Sequence, residues 1–122
     1  MKNTKIINSF KYAFAGVFSS FKTERNLKIH LSIMSLVIIF GIIFNLNSLE
    51  WSICVVCFAM VISAELFNTA IETIVDLVSP NIHPKAKLAK DISAGGVLAM
   101  AIGAFIIGLI IFLPKIVNLF NY

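Results

Sequence analysis

Three apolar runs decide what this chain can become. Residues 31–46, 51–64 and 92–113 contain no Asp, Glu, Lys or Arg. A bilayer span takes about 20 apolar residues, about 17 at the short end. Leu27 and Ile29 extend the first run past Lys28 and His30. The second run continues through Leu66, Phe67, Ala70, Ile71, Ile74, Val75 and Leu77. A helix satisfies its own backbone hydrogen bonds where no water can. The pattern therefore predicts three transmembrane helices, at residues 27–46, 49–78 and 90–113, with Pro80 and Pro84 stopping the second and Pro114 closing the third. Only 13% of the 122 residues are charged, against about 25% in a soluble domain. So small a globule could not cover its surface with them, and the apolar content excludes disorder. One domain accounts for the whole length.

The charges orient the helices. Lys2, Lys5, Lys11, Lys22, Arg25 and Lys28 precede the first span, Lys85, Lys87 and Lys90 lie between the second and third, and only Lys115 falls on the other side. The positive-inside rule puts the N-terminus and second loop in the cytoplasm, the first loop and C-terminus outside, with Trp51 at the outer interface. This asymmetry explains the net charge of +4 without nucleic acid. The first thirty residues do not read as a signal peptide, because the apolar run comes too late and no small-residue cleavage site follows it. Ile6, Ile7, Phe10, Phe14, Val17, Phe18 and Phe21 recur at helical spacing, which predicts an amphipathic helix lying on the inner leaflet. The fold class is all-α and membrane-integral.

The acids carry the chemistry. Glu65, Asn68, Glu72 and Asp76 are spaced 0, 3, 7 and 11, which puts them within about 80° on one helix face. Counted from Trp51, Glu65 lies about 21 Å and Glu72 about 31 Å along the helix. In a core about 30 Å thick, Glu65 is buried below the inner surface and Glu72 sits at it. An ionised carboxylate in a span costs about 2.5–3.5 kcal/mol even on lenient scales, so stability does not put it there. Glu24 precedes the first span, and Lys90 and Asp91 open the third. Carboxylates, a lysine and an amide on one membrane face suit a hydrated magnesium ion carrying phosphates. A base at the depth of Glu65 can meet a lipid hydroxyl while a metal–nucleotide stays on the aqueous side. The same buried acids also suit a small channel or proton-relay subunit.

The segment Glu65-Leu-Phe-Asn-Thr-Ala-Ile-Glu72-Thr-Ile-Val-Asp76, with His83 and Ala86-Lys-Leu-Ala-Lys90-Asp91-Ile-Ser-Ala-Gly after it, resembles the signature of the prokaryotic diacylglycerol kinase family. Lys11-Tyr-Ala and Gly16, with Glu24, match its N-terminal part, and the resemblance runs from about residue 5 to residue 113. It implies an N-terminal surface helix and three spans, a homotrimer with active sites between subunits, and phosphorylation of a lipid alcohol by MgATP. No phosphate-binding G-x-x-x-x-G-K-[ST] loop, H-R-D or D-F-G is present, so no soluble-kinase fold competes. By motif position, Glu65 is the general base, Asn68 orients the reacting groups, and Glu24 and Glu72 hold Mg2+ beside the nucleotide. Lys90, Asp91, Asn81, Ile82, His83, Lys5 and Tyr12 contact the nucleotide. Members that prefer diacylglycerol tend to carry a second glutamate six residues after the metal-binding Glu24, where this chain has His30. That departure resembles the Gram-positive branch, whose usual acceptor is undecaprenol; diacylglycerol is the alternative.

Other patterns point to packing. Cys54 and Cys57 sit mid-span and suit small apolar contacts. Gly95, Ala99 and Gly103, like Ala104 and Gly108, are spaced by fours, as close helix packing requires.

Overall fold

The computed structural model describes residues 2–121 and is entirely helical. Met1, counted in the expected surface helix, lies outside the described residues, as does Tyr122. The helices are α1 (Lys2–Thr23), α2 (Arg25–Ile43), α3 (Ser48–Val78) and α4 (Pro84–Phe120). The last three are long and apolar enough to cross a membrane.

Local chemistry sets the ends. α2 stops at Ile43, short of Leu46, because the chain reverses through a Schellman turn. Leu46 N–H donates to the Gly41 carbonyl at 3.0 Å and Asn45 N–H to that of Ile42 at 3.2 Å. Asn45 takes the left-handed conformation, φ 55°, which asparagine tolerates better than most residues. Asn47 then caps α3. Its side chain accepts from Glu50 N–H, and its own N–H donates to the Glu50 carboxylate, each at 2.9 Å. This is a reciprocal capping box. At the other loop His83 Nδ1 accepts from Lys85 N–H at 3.1 Å and Pro84 begins α4, a position where a missing N–H costs nothing.

Pro114 does not close α4: the helix passes through it to Phe120. Of the two loop prolines, only Pro80 follows the end of α3, whereas Pro84 starts the next helix. α4 thus outruns its apolar run at both ends.

α3 is the central element. It packs chiefly on α4 and also meets α2 and α1. Its buried residues, Cys54, Val61, Glu65 and Asn68, fall on one face. An apolar cluster of Leu46, Cys54 and Ile111, with Trp51, Phe58 and Phe112 around it, closes the end near residues 44–47. Phe44 meets Phe112 edge-on at 6.2 Å, and Lys115 pairs with Glu50 at 3.0 Å.

The buried apolar core is thin. The accessible surface is 9349 Å², against about 6,500 Å² for a compact soluble protein of this mass. α1 buries no residue, and its Ile6, Ile7, Phe10, Phe14 and Phe18 are exposed. The close packing expected at the glycines of α4 is not made within the described chain: a Cβ added at Gly95, Gly103 or Gly108 would meet nothing within 4 Å.

Candidate functional site

Glu65 and Asn68 are the only buried polar or charged residues among those described, at 3% and 7% exposure. One turn apart on the inward face of α3, they are held against α2 and α4. Glu65 Oε1 lies 3.1 Å from His30 Nε2 on α2. Its other oxygen, Oε2, has no partner among the described residues. Asn68 Nδ2 donates to Glu72 Oε1 at 3.4 Å, and Asn68 Oδ1 is buried without a partner. Buried acceptors are rarely left unpaired, because each costs about 1–3 kcal/mol. Asn68 Oδ1 is therefore a group kept open.

Two cavities lie along this part of the molecule, one of them beside these residues. A polar-edged chamber of about 260 Å³ is lined by Asn26, His30, Glu65, Asn68 and, from α4, Ala94, Val97 and Ala101. An apolar cavity of about 280 Å³ continues toward the residue 44–47 end between Met34, Cys54, Cys57, Phe58 and Ala104. His30 and Ala101 border both. Cys54 and Cys57 are free thiols on its wall. The lining of the second cavity suits an apolar chain, and that of the first offers polar groups.

Further along α3 the carboxylates reach the surface. Glu72 is half-buried and Asp76 exposed. Asp76 accepts from Lys90 on α4 in a short contact. One helical turn earlier on α4, Lys87 pairs with Asp91 at 2.6 Å. The loop and α3 and α4 thus bring together Glu65, Asn68, Glu72, Asp76 and Lys90 along one edge.

The remaining expected residues are not gathered there. Asn81, Ile82 and His83 are exposed on the loop, with His83 engaged as a helix cap. Lys5 and Tyr12 are exposed on α1. Glu24 precedes α2 without using its carboxylate as a cap and has no side-chain partner among the described residues. No group of three or more His, Cys, Asp or Glu that could hold a metal occurs among the described residues. Magnesium, however, keeps several waters and commonly takes only one or two carboxylates plus substrate phosphates. The hard oxygen donors of Glu24 and Glu72, both uncommitted to ion pairs among the described residues, fit that demand.

Residues 11–112 match the model of the prokaryotic diacylglycerol kinase family. The chain is 42% identical to the undecaprenol kinase of Bacillus subtilis over 92% of its own length and 91% of the relative's. It is 39% identical to the diacylglycerol kinase of a Synechocystis strain, over 93% of its length and 66% of the relative's. Against the diacylglycerol kinase of Haemophilus influenzae it is 29% identical over 89% and 93%.

Proposed function

The chain belongs to the prokaryotic diacylglycerol kinase family, and from that premise we propose that it phosphorylates undecaprenol, passing to its hydroxyl the γ-phosphoryl of MgATP. Family membership makes it an ATP-dependent lipid kinase of the bacterial membrane and sets aside the channel and proton-relay reading. The observation that carries the acceptor is a lining shared by two cavities. The buried carboxylate of Glu65 borders one of them, and His30, bonded to it, borders both that one and an apolar second cavity. A long-chain alcohol would put its hydroxyl at Glu65 and the start of its chain against Phe58 and Met34. The extended match to the Bacillus subtilis undecaprenol kinase supports the same acceptor.

In this reading the Glu65 carboxylate takes the hydroxyl proton as the oxygen attacks phosphorus. Asn68, through its open Oδ1, orients the reacting groups. Lys90, now held by Asp76, reaches the transferring phosphoryl and offsets its charge. Glu24 and Glu72 hold Mg2+, which when bound neutralises phosphate charge. Lys5, Tyr12, Asn81, Ile82, His83 and Asp91 contact the nucleotide. They are dispersed in one subunit, so the complete site forms between copies. A homotrimer would also cover the apolar faces and the open small-residue stripe of α4. The positive charges put the loop at residues 79–83 and α1 on the cytoplasmic side, with the aromatic face of α1 in the leaflet.

The test is label transfer from γ-labelled ATP into chloroform-extractable lipid, with undecaprenol and diacylglycerol offered side by side at equal mole fraction. Faster, magnesium-dependent labelling of undecaprenol is expected. A preference for diacylglycerol, the acceptor in the names of the Synechocystis and Haemophilus relatives, overturns the assignment.

A further inference from the structure

His30 stands thirty-five residues before Glu65 in the chain, yet its Nε2 is 3.1 Å from Glu65 Oε1. Their side chains are 18% and 4% exposed. This is the one hydrogen bond that the Glu65 carboxyl makes among the described residues. Elsewhere the chamber wall is largely apolar, with Ile29, Ala94, Val97 and Leu98. A carboxyl torsion is broad and roughly two-fold, so nothing intrinsic distinguishes its two oxygens. The bond from His30 does: one oxygen is tied to α2 and the other is left for a third group.

We propose that His30 is a positioning residue, which holds Oε1 of Glu65 by its Nε2–H and so turns Oε2 toward the acceptor hydroxyl. The proposal rests on Glu65 being the base. The acceptor oxygen bonds the γ-phosphorus as the bond from phosphorus to the bridging oxygen of ADP breaks. The hydroxyl proton passes to Oε2, and leaves for water when the products depart. His30 keeps its proton throughout. Its place bordering both cavities suits the task, because the acceptor oxygen must arrive there.

Glutamine places an amide N–H near the position of Nε2, asparagine one near Nδ1, and leucine places none. The variants His30→Gln, His30→Asn and His30→Leu are compared in phosphatidylglycerol nanodiscs containing undecaprenol. His30→Asn and His30→Leu are expected to lose kcat by about 10- to 100-fold, as misplacement of a reacting group does. The KM for MgATP should stay within about twofold, and His30→Gln should recover most of the rate. Equal rates in His30→Gln and His30→Asn, or a loss confined to the KM for MgATP, overturn the proposal. The Gln–Asn pair keeps the test open where the leucine variant fails to assemble, which thermal melting reports. In the Glu65→Gln background, His30→Asn should cost nothing further. An additional loss there means that His30 acts independently and the proposal fails while the base survives. Wild-type rate in Glu65→Gln alone removes the base itself.

Discussion

α3 carries one carboxylate, Glu50, in its first turn and another, Glu65, near its middle, and the two are treated oppositely. Glu50 is committed on both sides: it closes the capping box with Asn47 and pairs with Lys115 at 3.0 Å. Glu65 is far more buried, yet it has one partner, His30, and lies beside an asparagine oxygen with none. Burial without satisfaction costs free energy, whereas a satisfied surface acid costs little. The Glu50 end is thus built as a joint, whereas under the proposed function the Glu65 region is the workplace. Activity and stability should separate between them.

The sharpest test of that contrast is Glu65→Gln, which keeps shape and burial. Lipid labelling should fall by about 10²- to 10⁴-fold, the range of a lost general base, while the melting temperature in detergent holds or rises. Asn68→Leu should lower kcat by about 10- to 100-fold without loss of thermal stability, since it removes an unpaired buried acceptor. A large drop in melting temperature in either variant would make the Glu65 region structural after all. At the Glu50 end the signs reverse. The Cβ of Gly41→Ala would stand 2.5 Å from the Trp51 ring and 2.9 Å from Leu46. Such overpacking costs about 1–3 kcal/mol, read as a lower melting temperature with unchanged kcat per folded enzyme. Asn47→Ala should cost about 1 kcal/mol through the lost cap, with kcat again intact. Loss of kcat in either of these would couple the two regions.

The sequence shows the helices because their signal is local. Runs of apolar residues, the aromatic periodicity of α1 and the polar face of α3 lie within single segments. Helix ends needed more than hydropathy. The Schellman turn at Asn45 is visible only as backbone geometry, and Pro114 reads as a stop although the helix tolerates it. Glu65 stands out from sequence because a buried acid is conspicuous. Its contact with His30 does not, since it depends on how α2 docks against α3. Likewise the pairing of Lys90 with Asp76 spans the loop and is invisible to spacing along one helix. Under the proposed assembly, what would draw in α1 and the residues 81–83 lies between copies, beyond any one chain's pattern.

The large exposed apolar surface has a kinetic corollary. The medium in which these helices dissolve is also the reservoir of one reactant, so under the proposed function the acceptor would reach Glu65 sideways, by two-dimensional diffusion, without crossing water. Saturation should then track the acceptor's mole fraction in the bilayer, and adding inert phospholipid at constant total acceptor should slow the reaction as dilution would.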